Sequence, residues 1–161
     1  MEIRLAGTAD TEEVFLVLKG AAQWLHDQHF SQWSFLLSGG EDGEIKQAIL
    51  DRETYVLCDK GKVKATFTLY EGPSGWDRHI WDGEADGAIY LHRLAVHPDS
   101  MGNGLGKKAV DWICRKYSGT PLRLDCVGDN EKLNAYYQGL GFVLKGVTDS
   151  HSRYEKAGAG K

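Results

Sequence analysis

Three glycines at alternate positions, Gly102, Gly104 and Gly106, run straight into Lys107 and Lys108. They stand between an apolar strand-like run and a helix-like one. Glycine leaves backbone N–H groups bare, and a helix opening there adds the positive end of its dipole, so the stretch is suited to an anion. Two lysines in a first helical turn oppose that dipole unless an anion lies nearby. The bland alternative is a tight turn with solvated lysines. A Walker loop fails on spacing, because Gly102 to Gly106 is too short and Lys108 stands where Ser or Thr is needed. The GxGxxG dinucleotide fingerprint fails on the same ground.

Other candidates for chemistry are scattered. His92 lies inside "AIYLHRLAV", and an imidazole with an ordinary pKa near 6.5 suits a proton acceptor at neutrality. A buried strand histidine is equally a satisfied core residue. Glu71, Glu84 and Asp86 are rival bases. His26 and His29 lie three apart, but no third ligand accompanies them, so a solvated helix face is expected and no metal. Cys58, Cys114 and Cys126 are scattered within apolar patterns and read as buried thiols of a reducing cytoplasm.

The elements that must position these groups follow from periodicity. "MEIRLA" reads as a strand. Thr8 or Asp10 caps the next helix, with Glu13 completing a capping box and Val14, Leu18, Ala21, Ala22 and Leu25 forming its apolar stripe. A shorter helix is expected over 41–50. "TYVLC" and "VKATFTLYEG" form a hairpin around "DKGK", with Val63, Ala65, Phe67 and Leu69 on one face. The segment 72–87 reads as an irregular glycine-rich loop carrying Trp76 and Trp81. "AIYLHRLAV" and "PLRLDCV" read as central strands. Ala109, Val110, Ile113, Cys114 and Tyr117 mark a buried helix face. "NEKLNAYYQGLGF" is a short helix ending at glycine, and "FVLKGVTD" and "SRYEKA" are the last strands, before a frayed "AGAGK". No linker or repeat divides residues 1–161, so one α/β domain is expected, with helices on both faces of a mixed sheet.

The stretch "VHPDSMGNGLGKK" resembles motif A of the GNAT superfamily of N-acetyltransferases. Val96-His97-Pro98 fits the strand end, and Met101-Gly102-Asn103-Gly104-Leu105-Gly106 fits the loop. Met101 departs from the usual Gln or Arg, which removes a side-chain contact but leaves the backbone donors. "DNEKLNAYYQGLGF" is similar to motif B, with Asn130 opening the helix and Tyr137 four residues before Gly141-Phe142. The resemblance implies a central, mixed but mostly antiparallel sheet of six to seven strands with splayed central strands, flanked by about four helices.

It also implies acetyl-CoA as co-substrate and direct transfer of acetyl to a primary amine in a ternary complex. Pantetheine would pair with the backbone of Leu94, Ala95 and Val96, and the pyrophosphate would sit on the N–H groups of Gly102 to Lys107. Tyr137 matches the family's general-acid tyrosine, with Tyr136 as the core-filling neighbour. His92 occupies the place of a base that works through water in many relatives. Trp24, Trp33, Trp76 and Trp81, with His26 and His29, fall in segments that line the acceptor pocket, where aromatics would wall an amine cation. A small-molecule amine is the expected acceptor. Acylation of a protein amine, or a coenzyme A sensor without catalysis, remains the alternative. Dimers are common among relatives, so a homodimer is the assembly the resemblance suggests.

Bulk properties narrow the partners. The chain has 161 residues, 42% hydrophobic and 26% charged, with net charge −4. A pI near 5.8 offers no global basic field for nucleic acid or an anionic membrane. The longest aliphatic or aromatic run, Val14 to Leu18, is far too short to span a bilayer. The acidic start is unlike a signal peptide.

Overall fold

A computed structural model describes residues 1–28, 39–84 and 87–157. Seven strands and five α-helices lie among them. They are β1 (Glu2–Leu5), α1 (Thr11–Asp27), α2 (Asp42–Leu50), β2 (Thr54–Asp59), β3 (Lys62–Tyr70) and α3 (Gly75–Ile80). Then come β4 (Ile89–Val96), α4 (Leu105–Lys116), β5 (Leu122–Val127), α5 (Glu131–Gly139), β6 (Val143–Thr148) and β7 (His151–Lys156). The sheet is open and mostly antiparallel, in the order β1-β2-β3-β4-β5-β7-β6. The expected six to seven strands are there, and α3 brings the helices to five. The chain forms two compact units, Met1–Leu69 with Arg93–Ala109, and Tyr70–His92 with Val110–Lys161.

In the first unit the apolar stripe of α1 packs as its spacing dictates. Val14, Val17, Leu18, Ala21 and Ala22 are buried against Ile45 and Ile49 of α2 and against Val56, Val63 and Ala95. Val17 takes the place expected of Leu25, which is only half-buried. The expected capping box is absent. A 3₁₀ turn, Thr8–Asp10, precedes α1, and the Asp10 carboxylate caps nothing on the helix. It accepts instead from the Gly7 N–H at 2.7 Å and from Arg4 at 2.7 Å. A guanidinium offers the carboxylate a full opposite charge, which a backbone N–H does not, and Arg4 holds the Asp10 carboxyl below its usual range. Glu13 accepts from the Val63 N–H at 3.0 Å, fastening α1 to β3.

In the second unit β5 pairs antiparallel with β7 from Leu122↔Lys156 to Val127↔His151. Its parallel ladder with β4 has two rungs only, Ile89↔Leu122 and Tyr90↔Arg123, and ends there. The central strands therefore part before His92, as expected. Side chains alternate across a sheet, so Leu124, Cys126 and Tyr154 share one face while Tyr90, His92, Arg123 and Asp125 share the other. α5 covers the first face, where the fully buried Tyr154 donates to Asn134 Oδ1 at 2.7 Å. α3 covers the second. Helices thus lie on both faces of this unit's sheet.

The helix α3 overturns the expectation of an irregular loop. Ser74 Oγ accepts from the Asp77 N–H at 3.2 Å, and Asp77 Oδ2 accepts from the Ser74 N–H at 3.0 Å. That reciprocal pair is a capping box, written in the sequence as Ser74 and, three residues on, an acid. Beyond it, Trp81 is buried between two guanidiniums, Arg123 at 4.7 Å and Arg153 at 5.4 Å from its ring centroid. Arg123 also pairs with Glu155 at 2.9 Å and donates to Tyr90 at 3.0 Å.

All three cysteines are buried and unbridged. Burial pushes each thiol up, Cys126 to about 12. All three should therefore resist iodoacetamide at pH 8 in the native protein and react once it is unfolded, read as mass added. The sign for stability follows. Above about pH 9 the unfolded Cys126 ionises while the folded one does not, so its contribution is lost as pH rises from about 9 towards 12.

Candidate active site

In the first unit, β4 runs through Leu94, Ala95 and Val96 into a 3₁₀ turn, Pro98–Ser100, and then the glycine loop. His97 closes that turn, its Nδ1 accepting from the Asp99 N–H at 3.1 Å. Gly102 and Gly104 take φ of +84° and +74°, which L side chains rarely adopt. A Cβ at either would meet nothing within 4 Å. The space over the backbone here is open, and the first N–H groups of α4 have no partner inside their own helix. The loop fits a diphosphate. Gly106 differs: it lies buried within the first turn of α4. Met101 is half-buried, whereas Asn103, Lys107 and Lys108 are exposed and Leu105 is buried. Trp24, on α1, is 42% exposed.

In the second unit, α3 braces the two strands where they part. His92 Nε2 lies 2.9 Å from Asp77 Oδ2, a nearly sealed carboxylate that also accepts from the Ser74 hydroxyl at 2.9 Å. A carboxylate only accepts, so Nε2 carries the proton and the Nδ1 lone pair is the basic one. The Tyr70 ring flanks the imidazole, its centroid 4.9 Å away. One residue before Asp77, Trp76 donates its indole N–H to Asp125 Oδ2 at 3.0 Å. The same oxygen accepts from His151 Nδ1 at 2.9 Å.

Tyr137 projects on the α5 side. It is buried, in edge-on contact with Tyr136 and Phe142, and among the described residues its hydroxyl has no hydrogen-bond partner. Burial pushes its phenol well above the usual range, so it stays protonated. Tyr136 reverses the expectation of a core filler, being 43% exposed. Asn130 caps α5, its Oδ1 accepting from the Leu133 N–H at 3.0 Å.

Trp76 and Asp77, the partner of His92, are neighbours on α3, and Trp76 is 41% exposed. Trp81, at 4%, belongs to the packed cluster rather than a pocket wall. Glu84 is engaged by Arg153 at 3.0 Å, and Glu71 accepts from Tyr117 at 3.5 Å. Trp33, His29 and Asp86 lie outside the described residues. No group of three His, Cys, Asp or Glu suited to a metal occurs among the described residues, and no helix there is long and apolar enough to cross a membrane. Sequence reasoning missed Asp77, Asp125 and His151. For Asp77 the capping signature was the available signal, while the other two carried none.

The sequence profile of the "Acetyltransferase (GNAT) family" matches residues 18–142. The uncharacterized N-acetyltransferase YesJ of Bacillus subtilis (strain 168) is 35% identical over 146 residues, 88% of this chain and 81% of YesJ. A GNAT-family acetyltransferase from Listeria monocytogenes 4b F2365 superposes with a TM-score of 0.82 at 28% identity, over 97% of this chain and 94% of that one. A GNAT acetyltransferase from Brucella melitensis, solved with acetyl-CoA, shares the fold at a TM-score of 0.62 and 18% identity, covering 99% of this chain and 88% of its own. This chain belongs to the GNAT family of acetyltransferases.

Proposed function

We propose that this protein transfers acetyl from acetyl-CoA to a primary amine of a small molecule, by direct attack in a ternary complex. One observation carries the reading. An unpartnered, protonated tyrosine hydroxyl lies on the face of the sheet that α5 covers, and a carboxylate-braced histidine lies on the other, where β4 and β5 part. Direct transfer needs both. An alkylammonium of pKa about 10.4 is neutral at pH 7 in only about one molecule in 2,500, a cost of roughly 4.6 kcal/mol. His92 Nδ1 takes that proton, directly or through water. The amine nitrogen then bonds to the thioester carbonyl carbon, and the C–S bond breaks as the Tyr137 hydroxyl protonates the departing sulfur. The second proton of the nitrogen passes through water to the Tyr137 phenolate, which leaves the amide, coenzyme A thiol and a protonated His92. Backbone donors from Gly102 to Lys107 hold the pyrophosphate, and the backbone of Leu94 to Val96, which the β4–β5 ladder does not use, receives the pantetheine arm.

The test is release of coenzyme A thiol across a panel of amines. Amine-dependent release with an N-acetylated product is expected. Tight coenzyme A binding with no turnover on any amine would make the protein a sensor instead. For the glycine loop, Gly104→Val should weaken acetyl-CoA at least tenfold in calorimetry, about 1.4 kcal/mol. Because a Cβ there touches no protein atom, a Gly104→Ala control separates backbone strain from obstruction of the ligand. Unchanged affinity in the folded valine variant would remove the loop from the binding site.

A further inference from the structure

We propose that Asp125 is the group that receives the cationic nitrogen of the acceptor, so that the enzyme selects protonated alkylamines over neutral arylamines. The inference rests on the amine N-acetyltransferase reading and adds the residue that recognises the amine.

His92 and Asp125 occupy matching positions on the two parting strands. The rungs Ile89↔Leu122 and Tyr90↔Arg123, continued two residues, set His92 level with Asp125, and both point to the face that α3 covers. Each is braced by a neighbour on that helix, His92 by Asp77 and Asp125 by Trp76. One lip of the opening thus carries a base and the other a carboxylate.

The Asp125 side chain is only 9% exposed, and a buried carboxylate needs compensation. What it receives is lopsided. Both donors, the Trp76 indole and the His151 imidazole, bond to Oδ2, and Oδ1 accepts from no described residue. Nor does an arginine or lysine among the described residues neutralise it. Its cross-strand neighbour is Arg153, but that guanidinium turns to Glu84 at 3.0 Å and to the Lys145 carbonyl at 3.4 Å. The carboxylate is therefore fixed in orientation by two donors while its second oxygen stays open. Trp76 supplies an aromatic face beside it. An ammonium satisfies the free oxygen and brings the permanent positive charge that no arginine or lysine supplies. The same oxygen faces the nitrogen as it turns cationic during attack, so its interaction extends beyond the ground state.

The test compares benzylamine, protonated at pH 7, with aniline, neutral at pH 7, in the wild type and in Asp125→Asn. The amide keeps the shape and one acceptor oxygen but removes the charge. kcat/KM for benzylamine should fall at least tenfold more than that for aniline, with the KM for acetyl-CoA unchanged. Equal losses for the two amines would reduce Asp125 to a structural role and overturn the proposal. Should Asp125→Asn fail to fold by thermal melting, Trp76→Phe removes the indole donor while keeping a smaller aromatic ring. It should shift the same ratio about threefold or more, and an unshifted ratio there overturns the proposal. A wild type that acetylates aniline but no alkylamine overturns it while leaving the N-acetyltransferase reading intact. Failure of the wild type on every amine defeats the underlying reading instead.

Discussion

Tyr137→Phe is expected to lower kcat by roughly 10²-fold, within the range of general-acid effects, and to leave the KM for acetyl-CoA nearly unmoved. The substitution keeps the ring, so the contacts with Phe142 and Tyr154 persist, and it removes a hydroxyl that no described residue uses. Little stability should be lost, since no protein hydrogen bond is broken. The loss therefore falls on the leaving thiolate alone, the pattern of an interaction made only in the transition state. The direction of the phenol's shift adds a second readout. Burial keeps Tyr137 protonated beyond the usual tyrosine range, so no alkaline decline in kcat should begin near pH 10 on its account. Steady-state kinetics of Tyr137→Phe beside Tyr136→Phe decides the matter. Loss of kcat in the exposed Tyr136 variant alone would move the role from Tyr137 to Tyr136.

The second large effect is expected at His92. In the wild type, kcat/KM for one accepted amine should rise with pH through an inflection that belongs to His92 in the free enzyme. In His92→Ala that inflection should vanish, with kcat/KM down by about 10²-fold at pH 7, and the remaining rate should follow only ionisation of the amine. The residue of activity need not be small, because positioning supplies much of the acceleration in direct transfer. Asp77→Asn separates bracing from chemistry. An amide can present its NH₂ to Nε2 and leave the proton on Nδ1, the wrong tautomer for a base, so the rate should drop about tenfold or more while the inflection moves rather than disappears. An inflection that survives His92→Ala would pass the role to Glu71 or to no dedicated base. Glu84 is the weaker rival, being engaged by Arg153.

The glycine loop and the element order were legible because their causes are local. Positive φ at Gly102 and Gly104 needs glycine whatever surrounds it, and the stripe of α1 is set by helical period. Tyr137 was legible as a candidate through its place in a helix motif, but which of two adjacent tyrosines is buried depends on what packs beneath them. Sequence pattern also mislaid α3, although Ser74 and Asp77 carried its capping signature, because a six-residue helix has too few turns for a hydrophobic period. The site partners were beyond its reach for a stronger reason. Asp77 meets His92 across fifteen positions and His151 meets Asp125 across twenty-six. Nothing in local propensity ties such residues together. Only the parting of β4 from β5, with α3 laid across that face, turns an unremarkable tryptophan–aspartate pair into the braces of His92 and Asp125. Local backbone chemistry thus set the conformation of the glycine loop, while tertiary pairing decided which side chains meet His92 and Asp125.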